Sequence, residues 1–280
     1  MRIQTSTRTT KWSRIIVVAA LLVSLPVAAA RTNLLLLLPG FPGTSEQAQP
    51  YVDKMLRYLE KDLGFEANSM TGVFIPDGDK AKSKLNEIKP GIALVGPSVY
   101  AQNAKAMKMK VIAKVTASGR GEARYYVVVK KDFAGSIADL AGTISGTVVY
   151  DKQYVVNVLL DRLVASDKIV MKPNKRPLRA LRDVSQGNVD AAIIDDDVKN
   201  HMAELPMAPE IKIIYTSEPV PAPAVVVLND GKKHAAAVKK SIANLCEKPD
   251  GKELCKSLTI SSISPADDTD YKALLKRYNR

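Results

Sequence analysis

Histidine, cysteine and aromatic residues are scarce in this chain of 280 residues: two His, two Cys, and Phe, Trp and Tyr together at 5%. His201 and His234 fall on predicted helix surfaces, neither beside a cysteine nor in a metal-spaced cluster, so no zinc ligand set is present. There is no Gly-x-Ser-x-Gly elbow, P-loop or dinucleotide fingerprint. Nothing pairs Asp151 or Asp195 with a nucleophile for acid–base work. No catalytic residue, metal or cofactor is therefore expected, and the chain reads as a binder, not an enzyme. Internal repeats and low-complexity tracts are also absent.

Cys246 and Cys255 flank Pro249-Asp250-Gly251, a turn signal between two helical patterns. In an oxidising compartment they pair across that turn, and so small a loop contributes on the order of 2–3 kcal/mol. Two buried free thiols are the other reading, since spacing does not fix geometry.

What is present begins with a basic, apolar leader. Arg2, Arg8, Lys11 and Arg14 precede the apolar Ile15–Val27, and Ala28-Ala29-Ala30 offers small residues for cleavage. Residues 1–30 read as a secretory signal peptide, placing the mature chain in the periplasm. An uncleaved anchor is the alternative, with the apolar Leu34–Leu38 just beyond. Pro26, Arg31 and Asn33 interrupt the roughly 20 apolar residues that a span needs. The signal carries four of the twelve net positive charges, leaving about +8 on some 250 residues, enough for two lobes. The lysines are spread along the chain, which suits a solvated surface, and export argues against a nucleic-acid partner.

Along the mature chain, strand and helix patterns alternate. Leu34–Leu38, Ile92–Val95, Lys110–Val115, Tyr125–Val129, Thr147–Tyr150, Val189–Ile194, Ile211–Tyr215 and Val225–Leu228 read as strands. Val52, Met55, Leu56, Leu59 and Leu63 recur at helical spacing, and Ser98 is placed to cap a helix. Tyr154–Leu163, Leu178–Val184, Ala235–Leu245, Lys252–Leu258 and Tyr271–Tyr278 read as helices. Ile137–Leu140 reads as a single helical turn. The alternation predicts parallel sheets covered on both faces. Pro219–Pro223 is a stiff extended connection, a candidate hinge or crossover.

Four strings, in this order, carry a resemblance: Gly91–Tyr100 (GIALVGPSVY), Val127–Asp132 with Ala138–Thr143 (VVVKKD…ADLAGT), Gly187–Ala192 (GNVDAA) and Ser217–Pro221 (SEPVP). They resemble the phosphate/phosphonate-type periplasmic substrate-binding proteins of ABC importers, from about residue 34 to the C-terminus. The resemblance implies a type II periplasmic binding protein: two α/β lobes with central sheets, a two-segment hinge, and a solute in the cleft. Carried over, lobe one is 34–123 plus 217–280 and lobe two is 124–216. Such proteins close on ligand by hinge motion. The implied partners are a small-molecule or lipid ligand and an inner-membrane transporter or sensor component, with the protein itself a monomer.

The resemblance also nominates site residues. From lobe one come Pro39-Gly40-Phe41, then Ser98, Val99 and above all Tyr100, and the loop Arg120-Gly121-Glu122. From lobe two the family carries a hydroxyl-rich turn that holds the phosphate or phosphonate. The matching stretch here is Tyr150-Asp151-Lys152-Gln153-Tyr154-Val155, where an aspartate and two tyrosines replace the hydroxyls. Asp151 beside a phosphate adds like-charge repulsion unless Lys152 offsets it. Arg176 is placed to offer a cation or to sit in a solvated loop. Asp195 and Asp196 either cap the next helix or face an ammonium in the cleft. Two ligand classes follow: a small polar or zwitterionic solute, or an apolar molecule such as a lipid or sterol lined by Phe41, Val99, Tyr100, Tyr150, Tyr154 and Val155.

Overall fold

A computed structural model describes residues 33–280 except 42, 118–120 and 244. The expected signal peptide, residues 1–30, lies outside the described residues, as does Arg120 of the nominated loops.

The chain starts with β1 (Asn33–Leu37), α1 (Ser45–Leu63), β2 (Thr71–Ile75), α2 (Ala81–Ile88), β3 (Ile92–Val95), α3 (Pro97–Asn103) and β4 (Lys110–Ala117). A short β5 (Glu122–Ala123) leads out of this sheet into β6 (Tyr125–Lys130), β7 (Gly142–Gly146) and α4 (Lys152–Tyr154), which continues as a π-turn over Val155–Leu159. Then come β8 (Ile169–Pro173), α5 (Pro177–Ser185), β9 (Ala191–Asp195), α6 (Asp196–His201) and β10 (Ile211–Thr216). β11 (Val220–Pro221) returns the chain to β12 (Ala224–Val227), α7 (Ala235–Ala243), α8 (Pro249–Ser257), β13 (Ile260–Pro265) and α9 (Lys272–Tyr278).

Among the described residues the strands form two main sheets. One has the order β13-β4-β12-β3-β1-β2, the other β10-β6-β9-β7-β8. This is the two-lobed α/β architecture, with two chain crossings between the lobes. The crossings lie side by side: β5 pairs antiparallel with β11 through Ala123–Val220 and Glu122–Pro221. Proline suits this two-stranded ribbon, whose edges demand few N–H donors.

The sheets are mixed, where wholly parallel sheets were expected. β1, β2 and β3 are parallel, but β12 runs antiparallel to β3 and β4, and β6 antiparallel to β9. The reason is the crossings. β6 and β12 each follow directly on a chain crossing rather than on a helical return, so nothing obliges them to run with their neighbours. Strands β2, β8 and β13, the short β5, and α2 lack a strong sequence pattern and were not anticipated.

Three apolar clusters hold the fold. On β1, Leu35 and Leu37 point to one face and Leu34 and Leu36 to the other, as strand alternation requires. Val52, Leu56 and Leu59 of α1 cover the outer face of the six-stranded sheet, together with Val238 and Ile242 of α7. α5 covers the outer face of the five-stranded sheet through Ala180, Leu181 and Val184. The third cluster is continuous between the lobes: Leu35, Ala93 and Val95 from one sheet join Val127, Ile144 and Ile193 from the other, with Tyr100, Tyr154 and Tyr271.

Two local expectations need correction. Thr147–Tyr150 is not a strand: β7 ends at Gly146, and the next residues turn. The helix expected over Tyr154–Leu163 ends at Leu159, because Asp161 and Arg162 take positive φ. Cys246 and Cys255 form a disulfide, with Cα atoms 5.5 Å apart. Among the described residues no helix is long and apolar enough to cross a membrane.

Candidate functional site

A cavity of about 300 Å³ opens where the two lobes and the two crossings meet. The lobe with the six-stranded sheet supplies Leu36, Leu38 and the loop Pro39-Gly40-Phe41, then Phe74, Leu94, Gly96-Pro97 and Val115. Ala48, Tyr51, Val52 and Met55 of α1 form one side, and Leu258 and Ile260 also contribute. The crossings give Glu122, Ala123 and Pro221–Pro223. The other lobe gives Tyr125, Thr147, Val148 and the run Asp195-Asp196-Asp197.

Local structure explains how these groups are presented. Thr44 caps α1 and forms a reciprocal pair with Gln47, which fixes the start of that helix beside the cavity. Gly40, at φ +88°, lets the mouth loop come close to the other lobe: a Cβ there would lie 3.1 Å from the Thr147 side chain. Phe41 is 41% exposed at this mouth.

The charged lining is of one sign. Among the described residues it holds Glu122, Asp195, Asp196 and Asp197 and no lysine, arginine or histidine. Asp195 caps α6 by accepting from the Val198 N–H at 3.0 Å. Asp196 accepts from the Arg124 N–H and from the Tyr126 hydroxyl, each at 2.9 Å. Burial, and then the charges of Asp195 and Asp196, push the Tyr125 phenol well above its usual range, so it stays protonated. Its backbone is fixed by Ser217, whose hydroxyl accepts from the Tyr125 N–H at 2.9 Å while its own N–H donates to the Tyr125 carbonyl at 2.8 Å.

The structure brings Phe41, Asp195 and Asp196 together at this cavity. Pro39, Gly40 and Glu122 of the nominated loops line it too, whereas Ser98, Val99, Tyr100, Tyr150, Asp151, Tyr154 and Arg176 lie elsewhere. Val99 and Tyr100 are buried in the core between the lobes. The Tyr100 ring lies 5.0 Å from that of Tyr271, and burial followed by the charge of Asp268 pushes its phenol up to about 12. Ser98 does not cap α3; Gly96 holds that place, and the Ser98 hydroxyl bonds that of Tyr150 across the lobes. Tyr154 is fully buried. Arg176 is exposed at the start of α5, in a separate shallow depression with Lys175, Arg179 and Arg182.

Asp151 explains most about the nominated anion turn. It caps α4 through the Tyr154 N–H at 3.1 Å and accepts from the Tyr278 hydroxyl at 3.1 Å. The helix end that would favour an external anion is therefore occupied by the chain's own carboxylate. Gln153 and Asn157 add hydrogen bonds to the Tyr278 carbonyl, both at 2.9 Å.

Sequence reasoning missed Tyr51, Met55, Tyr125 and Thr147. Met55 looked like core because it shares helical spacing with Val52 and Leu56. The usable signal was an apolar arc on α1, Ala48-Tyr51-Val52-Met55-Leu56-Leu59, wider than one sheet face needs.

Two packed α/β sheets, two adjacent crossings and a cavity at their junction define a bilobal solute-binding protein. The chain belongs to the ABC transporter phosphonate periplasmic substrate-binding family, whose model matches residues 42–271. That family is a transport component and not a class of enzymes. No curated protein sequence matches the chain. Similar solved folds include a Xanthomonas citri protein bound to ATP (TM-score 0.70, 11% identity, covering 90% of this chain and 96% of that one). Another is a Prochlorococcus marinus protein in complex with methylphosphonate (TM-score 0.64, 12% identity, 89% and 97%). A third is a binding-protein component of an ABC phosphonate transporter from Pseudomonas aeruginosa (TM-score 0.60, 16% identity, 87% and 82%).

Proposed function

We propose that this protein captures a neutral or cationic small solute in the junction cavity and delivers it to a membrane transporter. Lobe one is taken as 34–123 plus 217–280 and lobe two as 124–216. Phe41, Tyr125, Asp195 and Asp196 face the solute. The single observation that carries the reading is the sign of the lining charges. Four carboxylates and no described cation face the cavity, which repels phosphate or a phosphonate and favours an ammonium or a hydroxyl donor. The capped start of α4 supports the same conclusion, because the seat for an anion is filled by Asp151.

The test is a thermal-shift and calorimetric panel of phosphate, methylphosphonate, neutral alcohols and primary amines. A ligand at 100 times its dissociation constant stabilises the fold by about 2.7 kcal/mol. For a chain of this size that raises Tm by roughly 5–10 °C. Amines or alcohols are expected to give such shifts, and Asp195→Asn to weaken the amines more than the alcohols. A shift of that size from phosphate or methylphosphonate sinks the reading.

A further inference from the structure

The cavity wall is divided by lobe. Its charged groups come from a crossing (Glu122) and from lobe two (Asp195, Asp196, Asp197), where Tyr125 and Thr147 also stand. The wall in lobe one is hydrocarbon apart from the Tyr51 phenol. Burial along the strands reveals the same division. Leu35, Leu37 and Ala93, facing the core between the lobes, are at 0% exposure, whereas Leu36, Leu94 and Phe74, facing α1, keep 5–8%. α1 therefore does not fully seal the sheet face it covers. Ala48, Tyr51 and Met55, beside its sealing stripe of Val52, Leu56 and Leu59, border the space left. A ligand's own methylenes would make dispersion contacts with a space lined by hydrocarbon on several sides.

We infer that this gap is a slot for a hydrocarbon chain, and that the solute is an amphiphile. Its apolar body lies between α1 and the six-stranded sheet, and its polar end, an ammonium or hydroxyl, meets Tyr125 and the Asp195–Asp196 pair. The inference rests on the proposed function and adds the class of the solute. No anion seat is needed, and specificity comes from length and from the sign of the head group.

The experiment uses the mature full-length protein and a homologous series of n-alkylammonium ions and n-alkanols from four to twelve carbons, each below its micelle concentration. Titration calorimetry is expected to show affinity rising about fourfold per methylene until the slot is full, then levelling off. Ala48→Phe, which narrows the slot, is expected to bring the plateau to a shorter chain and to weaken long homologues more than short ones. Leu258→Trp is a second variant with the same expected readout, should Ala48→Phe unfold the helix. Tight binding of short amines with no dependence on chain length overturns the slot and leaves the proposed function standing. Absence of binding anywhere in either series overturns the slot as well. Tight binding of methylphosphonate instead overturns the proposed function beneath it.

Discussion

Replacing Asp151 by alanine tests the packing between the lobes. The carboxylate is only 8% exposed and serves two donors from different parts of the chain, the Tyr154 N–H that opens α4 and the Tyr278 hydroxyl on α9. Losing the cap costs about 1 kcal/mol. Leaving the Tyr278 hydroxyl buried without an acceptor costs about 1–3 kcal/mol. Relief of a buried charge offsets part of this, so a net loss of about 1–3 kcal/mol is expected, a fall of roughly 2–12 °C in Tm. A urea-denaturation cycle of Asp151→Ala, Tyr278→Phe and the double variant is expected to show a coupling of about 1.5 kcal/mol. Strict additivity, with a loss below about 0.5 kcal/mol for Asp151→Ala, refutes the bridge.

pH gives the same site a second readout. Burial, partly offset by hydrogen bonds from Tyr154, Tyr278 and Gln153, raises the Asp151 carboxyl above its ordinary 3.8. The folded chain then holds a proton that the unfolded chain has lost, so this group makes stability fall as pH rises from about 3.8 through the raised value. Asp151→Asn, which keeps the acceptor without the charge, is expected to flatten that stretch of the stability curve. An unchanged slope would show that the carboxylate does not feel its burial.

Two further outcomes can be checked by the same denaturation measurements. Gly78→Ala places a methyl group 2.3 Å from the Tyr150 ring, so it is expected to cost about 1–3 kcal/mol, and Tyr150→Ala in the same chain should recover most of the loss caused by the methyl. Cys246→Ser with Cys255→Ser is expected to lower stability by about 2–3 kcal/mol, from a loop closed over a separation of nine residues, and reductant should lower the wild-type midpoint by the same amount.

Much of the fold was legible because local rules decided it. The strand Ile92–Val95 stands where its apolar run and Gly96-Pro97 put it. Pro177 and Gly187 bracket α5 as start and stop signals. Local rules do not reach strand direction or partner. Whether β12 runs with or against β3 depends on a crossing more than a hundred residues downstream of β3. Tyr100 shows the same limit at the site. Its place on a short helix after an apolar strand is equally compatible with facing a cleft or a core. What turns it inward is Tyr271 and Asp268, some 170 residues away. Thr147 was similarly hidden, because a strand was expected over Thr147–Tyr150 whereas β7 ends at Gly146.

The departures from the family's pattern are linked, and this gives them functional weight. A tyrosine and an aspartate where an anion turn is expected do two things at once. Asp151 satisfies the helix end internally, and Tyr150 fills space against Gly78 and bonds Ser98. The Tyr150 contacts, with the hydrogen bond from the Tyr278 hydroxyl to Asp151, tie lobe two to lobe one, so that the volume is spent on packing. The remaining open space lies beside α1 and the crossings, lined by carboxylates at one end and hydrocarbon at the other. That turn is thus filled by the chain's own side chains, and the junction cavity lies apart from it. Restoring hydroxyls at positions 150 and 151 should accordingly loosen the bridge between the lobes without creating an anion site, because Glu122, Asp195 and Asp196 would still set the sign of the nearby field.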